Sequence, residues 1–330
     1  MKPLLSLGLA VGLGFTTLLA GCSGGSEKVR IGEVTRSLFY APEYVAIEQG
    51  FFKEQGLDVE LTTTWGGDKT MTALLSDGID VALVGSETSI YVDQEGGTDT
   101  VINFAQLTQT DGTFLFARST QGDFSWDQLK GTVFLGQRKG GMPQMVGEYV
   151  LKQHQIDPHQ DLQLLQNIDF ANVAPAFASG TGEFVQLFEP QASQFEQEGL
   201  GKVVASFGTE SGKVPYTVFM AKQSYIEKNQ ETIQKFTNAI YQAQQWVTSH
   251  SPAETAKVIA PYFKEIKMDI LESSIKRYLE QGSYASDPIL EEEEWNRLQD
   301  IMDEAGELKQ RADYNKLVNT TFAKTAMEGR

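Results

Sequence analysis

The chain has 330 residues, of which 41% are hydrophobic, and it carries a formal net charge of -17 at pH 7. A chain of this length can bury one large core or two medium ones, and the usual size of domains favours two lobes. The acidic balance argues against nucleic acid or an anionic membrane surface as a partner, because phosphate binding requires clustered lysine and arginine.

The first 22 residues have the layout of an export signal. A short positive start precedes an almost wholly apolar or small run over residues 4–20, and Cys22 follows Leu19-Ala20-Gly21. This ending resembles the lipobox of bacterial lipoproteins, in which the signal is cut before a cysteine that then carries acyl chains. A single transmembrane helix is the alternative, since a bilayer requires roughly 20 residues. The glycines in the run and the cysteine at its end favour export.

This interpretation predicts a signal peptide over residues 1–21, lipidation at Cys22 and a flexible tether over residues 22–28, which are mostly small and polar. Cys22 is the only cysteine, so its acylation would exclude disulfides and cysteine-based metal sites from the mature chain. We therefore expect the protein on the cell membrane, lipid-anchored on its extracytoplasmic face.

The first half of the mature chain alternates short apolar runs with stretches of helical length. This alternation predicts βαβ units around a mainly parallel sheet. A helix is expected over residues 68–77, and the turn at Gly122-Asp123 is expected to leave the first lobe. The predicted strands cover residues 29–34, 57–61, 79–84, 101–107 and 113–118.

A second alternating series predicts a smaller α/β lobe over residues 118–217. Its expected strands are 132–135, 162–165, 184–188 and 203–207, with helices over 144–154, 173–178 and 192–198. The apolar run 215–221 would return the chain, so that the first lobe comprises residues 29–117 and 218–330. From Ser224 onward the pattern is helical only, and Ser251-Pro252-Ala253-Glu254 has the residues of a capping box.

Ligands of open α/β sheets bind beyond the carboxyl ends of the strands, where loops lead into helices. Glycines at such exits let a solute approach the backbone, and we expect Ser86 to cap the helix that follows it. Arg138 and Lys139 make one exit a candidate anion site. The candidate ligand-binding residues at these exits are Phe39, Tyr40, Trp65, Gly67, Ser86, Glu87, Arg138, Gly140 and Gly141.

Glu189 follows another predicted strand, where it would either accept a hydrogen bond from a ligand amine or cap the next helix. No catalytic residue, metal site or cofactor is predicted. His154 and His159 flank a surface turn, and the chain lacks a Gly-x-Ser-x-Gly elbow, a Walker loop and a His-Glu-x-x-His pattern.

Residues 39–60 contain Gly50-Phe51-Phe52 followed by Gly56-Leu57-Asp58-Val59. This stretch resembles the solute-binding proteins of ABC importers in the nitrate, sulfonate, taurine and thiamine-pyrimidine-precursor group. Asp77-Gly78 with Asp80-Val81-Ala82, and Glu189-Pro190, are similar to further landmarks of that group. The resemblance covers residue 29 to about residue 320.

The resemblance implies an α/β, two-lobed periplasmic-binding-protein fold of type II. Each lobe would be a mainly parallel sheet flanked by helices, with a C-terminal helical extension. Two crossovers, near residues 118 and 215, would let a monomer close over one small molecule and dock on a permease driven by a cytoplasmic ATPase. The implied ligand contacts lie around Tyr40, Gly67, Ser86, Gly141 and Glu189, with Thr110 and Tyr216 suggested by their place in the chain.

The residues leave the solute open. Arg138 and Lys139 favour a sulfonate or carboxylate, whereas Trp65, Glu87 and Glu189 favour an aminopyrimidine-type ring. Two other functional classes fit the same sequence. One is a lipoprotein that senses a ligand and signals to a membrane kinase, and the other is a pyrimidine-synthesising enzyme relative.

Overall fold

The structure is a computed structural model that describes residues 26–329, and it contains two five-stranded sheets. The predictions for the signal peptide and for Cys22 fall outside the described residues. The strands are β1 Glu27–Glu33, β2 Leu57–Thr63, β3 Val81–Gly85, β4 Val101–Thr108, β5 Thr113–Ala117, β6 Val133–Leu135, β7 Gln163–Leu165, β8 Phe184–Phe188, β9 Lys202–Ser206 and β10 Thr217–Lys222.

Helices flank both sheets and then form a C-terminal series. Short 3-10 helices cover Leu38–Tyr40, Trp126–Leu129 and Ala260–Tyr262. The α-helices are α1 Ala41–Glu48, α2 Phe51–Glu54, α3 Gly67–Leu75, α4 Glu87–Gln94, α5 Met142–Gln153, α6 Phe170–Ala178, α7 Gln191–Gln197, α8 Phe207–Ser211, α9 Gln223–Lys228, α10 Gln230–Ser249, α11 Pro252–Ile259, α12 Met268–Gln281, α13 Glu292–Glu304, α14 Tyr314–Leu317 and α15 Thr321–Met327.

The first sheet has the order β2-β1-β3-β10-β4, with β1 parallel to β2 and β3 and with β10 antiparallel to β3 and β4. The second sheet has the order β7-β6-β8-β5-β9, with β6 parallel to β7 and β8 and with β5 antiparallel to β8 and β9. Every residue of β4 and β5 is buried, as expected for strands covered on both faces. The predicted two-lobed α/β class is confirmed.

The chain crosses between the lobes twice. Residues 109–112 lead from β4 to β5, and residues 212–216 lead from α8 back to β10, which lies between β3 and β4. The predicted lobe boundary at residue 117 is therefore wrong, because β5 pairs only within the second sheet. Two buried apolar runs separated by four residues carry no signal that assigns them to different sheets.

The start of the fold also differs from the prediction. Glu27 and Lys28 were assigned to the tether, but both belong to β1, and the Glu27 amide donates to the Gly56 carbonyl at 2.9 Å. Backbone pairing with β2 is available to any side chain, so the polarity of these two residues did not reveal it.

The C-terminal helices attach mainly to the first lobe. Helix α10 packs on α1 and α15, and α11 packs on α1 and α12. The capping box predicted at Ser251 and Glu254 is present. Helix α12 contacts α7 of the second lobe and the 3-10 helix Leu38–Tyr40 of the first lobe, so it joins the two lobes. Within residues 26–329, none of the helices combines the length and apolarity needed to cross a membrane.

Candidate functional site

Side chains at the ends of the two sheets contact each other at the junction of the lobes. The rings of Phe39, from the first lobe, and Phe188, at the end of β8, have centroids 6.0 Å apart. The Tyr91 hydroxyl of α4 lies 3.7 Å from the Met145 sulfur of α5. These contacts bring strand exits from both lobes against one another, as the prediction of a site between the lobes requires.

The first strand exit is a capped turn that supplies two aromatic side chains. The Phe39 amide donates to the Ser37 Oγ at 3.2 Å, and Pro42 lies at the start of α1. Phe39 is 1% exposed and packs edge-on against Tyr216 at 5.5 Å, so its ring fills the hinge. Tyr40 is also buried, and burial raises the pKa of its hydroxyl.

The third strand exit ties the first lobe to the second crossover. The Ser86 hydroxyl donates to the Pro215 carbonyl, and the Ser86 amide donates to the Tyr216 carbonyl at 3.2 Å. The predicted capping of α4 by the Ser86 side chain is therefore wrong. A buried hydroxyl takes whichever acceptor the tertiary structure provides, and here that acceptor comes from a residue 129 positions away.

Glu87, the first residue of α4, carries a buried carboxyl group at the junction of the lobes. Burial raises its pKa to about 8, an effect that the backbone amides of Glu87 itself and of Met142 only partly offset. Met142 is the first residue of α5, so the carboxyl group reaches the helix N-terminus of the opposite lobe. Its Oε2 has no hydrogen-bond partner in the described chain.

Asp111 lies in the first crossover and was not among the predicted site residues. Its Oδ1 accepts a hydrogen bond from the Thr113 amide at 2.6 Å, whereas its Oδ2 has no partner within the described residues. Burial raises the pKa of this carboxyl group to about 6. The buried Tyr216 hydroxyl of the second crossover lies beside the Asp111 carboxyl group, and its hydrogen bond to that group offsets part of the effect of burial on the Asp111 pKa.

Gln137 is a buried polar residue at a strand exit of the second lobe. It follows β6, is 4% exposed, and its Nε2 donates to the Gln186 carbonyl at 2.7 Å. Its Oε1 has no partner within residues 26–329. Gln137 opens the strand exit that contains Arg138 and Lys139, although it is not among the candidate ligand-binding residues.

The remaining predicted residues of the strand exits are exposed or half-buried. Trp65 is 64% exposed and has a left-handed φ of 62°, a conformation that favours glycine. Arg138 is exposed and lies 3.6 Å from Asp68 of the opposite lobe. Gly67 begins α3, while Gly140 and Gly141 precede α5, and the Gly140 amide donates to Gln144.

Glu189 has a structural environment. Its carboxylate accepts hydrogen bonds from the Ser193 amide at 3.0 Å and hydroxyl at 2.9 Å, and from the Ser274 hydroxyl at 3.1 Å. It also pairs with Arg277 at 2.5 Å. The protein itself supplies the donors of this carboxylate, one of them the Ser193 amide in the first turn of α7, whereas the N-cap residue of that helix is Pro190. The Thr110 hydroxyl is likewise engaged, donating to the Asp111 carbonyl at 3.2 Å.

The structure thus brings together Tyr40, Glu87, Asp111, Tyr216 and the start of α5, and it leaves Trp65 and Arg138 exposed. Asp111 is absent from the candidate residues because the sequence analysis places the lobe boundary at residue 117. In the structure the crossover covers residues 109–112. The available signal was an acid in the four-residue break between two buried strands.

Comparisons with known proteins were consistent with this architecture. "Putative binding protein YtlA" of Bacillus subtilis (strain 168) is 66% identical over 296 residues, which cover 90% of this chain and 89% of that protein. The ligand binding component of an ABC-type import system from Staphylococcus aureus has a TM-score of 0.73 at 15% identity, over 91% of this chain and 99% of that chain.

Two further solved structures share the fold. The alkanesulfonate-binding protein SsuA from Xanthomonas axonopodis pv. citri has a TM-score of 0.72 at 17% identity, over 89% of this chain and 98% of that chain. The desulfurization enzyme DSZB has a TM-score of 0.65 at 13% identity, over 92% and 99%. At these identities the likeness concerns the fold alone.

The family comparison agrees with the resemblance seen in residues 39–60. The model of the NMT1-like family matches residues 24–262, which is most of the chain. The chain therefore belongs to the NMT1-like family.

Proposed function

We propose that this protein is the extracytoplasmic solute-binding component of an ABC importer. It captures a small organic solute between its two lobes and delivers it unaltered, as a monomer, to a membrane permease with a cytoplasmic ATPase. The observation that carries the proposal is the meeting of strand exits from both lobes around buried polar groups, with two crossovers as the hinge. The name of the Bacillus subtilis relative and the import system of the Staphylococcus aureus structure support it.

The mechanism is a shift in the population of open and closed forms. A solute that contacts both Glu87 on the first lobe and the α5 N-terminus on the second gains affinity only when the lobes approach. Such differential affinity is what moves a two-state equilibrium toward closure. Reopening at the permease then releases the same molecule.

Native mass spectrometry tests the binding role. The full-length protein, isolated from bacterial membranes, is weighed intact and again after denaturation, and the released small molecule is identified. We expect one solute per monomer, recovered unchanged after prolonged incubation. Conversion of that solute into a product would contradict the proposal and favour an enzyme, a role that the fold also supports in DSZB.

The identity of the partner subunits distinguishes a transport function from a sensing function. Cross-linking in cells that carry the neighbouring genes is expected to recover a permease and an ATPase with this protein. Recovery of a membrane kinase instead would favour the sensor alternative.

The lipid anchor is part of the proposal and has its own test. Full-length protein is expected to incorporate an alkyne-labelled fatty acid and to sediment with membranes, whereas Cys22→Ser should lose the label. Two or more acyl chains hold a protein stably, whereas one holds it only marginally. An unlabelled wild-type protein would refute the anchor without affecting the binding role.

A further inference from the structure

The described part of the protein buries several carboxyl groups that have an unpaired oxygen, and it buries no lysine, arginine or histidine. Glu43, Glu87 and Asp111 are each no more than 5% exposed, and each has at least one carboxyl oxygen without a hydrogen-bond partner in that part. Burying a carboxylate without a cation or a donor is costly, so such groups hold a proton or await a partner.

Two of these carboxyl groups lie near Tyr216 at the junction of the lobes. Glu87 follows Ser86, whose amide donates to the Tyr216 carbonyl at 3.2 Å, and the Glu87 carboxyl group reaches the Met142 amide at the start of α5. Asp111 lies in the crossover that bonds to the Tyr216 segment, where the Tyr216 amide donates to the Thr108 carbonyl at 3.1 Å, and the Tyr216 hydroxyl bonds to the Asp111 carboxyl group. Tyr216 is 4% exposed, and burial, followed by the charges of Asp111 and Glu87, raises the pKa of its hydroxyl.

The donors near this cluster are already used by the protein. The Ser86 hydroxyl donates to the Pro215 carbonyl, the Thr110 hydroxyl donates to the Asp111 carbonyl, and the Tyr216 hydroxyl bonds to the Asp111 carboxyl group. The unpaired atoms of Glu87 and Asp111 are carboxyl oxygens, which accept hydrogen bonds. A solute that reaches this cluster therefore meets acceptors from the first lobe and from the first crossover.

The cations that would suit an anionic solute lie elsewhere. Arg138 is exposed and faces Asp68, and Lys139 beside it is exposed. The free amides at the α5 N-terminus would favour an anion, but the Glu87 carboxyl group already approaches them. An oxyanion entering here would lie next to two carboxyl groups.

We propose that the solute is a nitrogen base, presenting a positive charge or several N–H donors to Glu87 and Asp111, and is not an oxyanion such as a sulfonate or nitrate. Amines, amidines and aminated heteroaromatic rings belong to this class, and the Tyr40 ring offers a flat apolar surface beside them. This inference rests on the proposed function of solute capture, which it makes specific.

The pH dependence of binding discriminates between the two ligand classes. Glu87 holds its proton up to about pH 8, so a cation must displace that proton, and its affinity should rise as the pH approaches 8. An oxyanion would require the protonated form and would bind more weakly as the pH rises. The titratable groups that face Glu87 are Tyr40, Tyr91 and Tyr216, with Asp111 beyond Tyr216, and burial raises the pKa of each hydroxyl.

A matched pair of probes tests the proposal. Benzamidinium and benzoate have the same ring and a planar forked group of opposite charge, with 2,4-diaminopyrimidine and nitrate as further members of each class. Isothermal titration of the full-length protein is carried out between about pH 6 and about pH 8. We expect benzamidinium or 2,4-diaminopyrimidine to bind, benzoate and nitrate to fail, and the benzamidinium affinity to rise by up to about tenfold per pH unit with proton release.

Variants test which residue causes the effect. Glu87→Gln should weaken benzamidinium binding by about tenfold or more. It should also remove most of the pH dependence above about pH 7, because Asp111, whose pKa is about 6, titrates below that range. The control Glu95→Gln, at the exposed end of the same helix, should bind like wild type. The pH series on the wild-type protein keeps the test valid should Glu87→Gln fail to fold.

Several results would overturn the inference. These are tighter binding of benzoate or nitrate than of the bases, an affinity for benzamidinium that falls with rising pH, or no binding of either base at millimolar concentration. Binding of an oxyanion would leave solute capture intact, whereas only chemical conversion of the captured molecule or its absence in native mass spectrometry refutes the proposed function itself.

Discussion

The role of Glu189 depends on neighbours that are distant in the sequence. In the sequence it is an acid after a strand and before a helix, which fits a ligand contact or a cap equally. In the structure its oxygens meet the Ser193 amide, two serine hydroxyls and Arg277. Arg277 comes from α12, more than 80 positions later, so no local pattern could have identified it.

We predict that Glu189→Ala lowers the free energy of unfolding by about 3 kcal/mol. The substitution removes a buried carboxylate, leaves the Ser193 and Ser274 hydroxyls without this acceptor and takes one of two partners from Arg277, which costs more than the loss of an exposed pair. Arg277 keeps its second partner, Glu196, which limits the effect. Urea denaturation followed by circular dichroism measures the change.

The matched control is Glu198→Ala, an exposed acid at the end of the following helix, α7. Its unfolding free energy should stay within about 0.5 kcal/mol of wild type. A Glu189→Ala protein as stable as this control, with weakened solute binding, would reinstate Glu189 as a ligand contact.

Among the elements, α12 joins the two lobes. It buries one face, with Ile270, Leu271 and Ile275 on that face. The same helix carries Tyr278, whose hydroxyl accepts from the Glu189 amide at 3.0 Å and donates to the Gly112 carbonyl at 3.1 Å. Helix α12 therefore holds the first crossover against a strand exit of the second lobe.

Tyr278→Phe should destabilise the protein by about 1–3 kcal/mol, because a buried amide and a buried carbonyl lose their partner while the ring remains. Tyr241→Phe, on α10, is the control, since the structure gives the Tyr241 hydroxyl no hydrogen bond with residues 26–329. Thermal denaturation monitored by circular dichroism compares them. Equal melting temperatures for the two variants would remove the crossover role of α12.

At the scale of the whole molecule, the buried acids make stability depend on pH. Burial raises the pKa of Glu87 to about 8 and of Asp111 to about 6, whereas both are near 4 in an unfolded chain. Between these values the native state holds protons that the unfolded state has released. The contribution of each group is therefore complete below about pH 4 and is lost as the pH rises through the folded pKa.

We expect the free energy of unfolding to fall between about pH 5 and about pH 8, with Glu87 contributing up to about 1.4 kcal/mol per pH unit. Urea denaturation at several pH values measures the slope. Glu87→Gln should reduce the slope, because an amide does not titrate, and Glu198→Gln should leave it unchanged. A slope that is identical in wild type and Glu87→Gln would show that Glu87 is ionised at neutral pH.

The sequence by itself determined the classes of element, their order and the family. Strand and helix patterns are local, because periodicities of 2 and 3.6 residues follow from backbone geometry, and the Gly50-Phe51-Phe52 signature is contiguous. Only the tertiary structure decided that β5 belongs to the second sheet, that Ser86 bonds to Pro215, and that Glu87 and Asp111 share one cluster. These relations join residues more than 20 positions apart and arise when the lobes pack, where burial changes the charge and the available partners of each group.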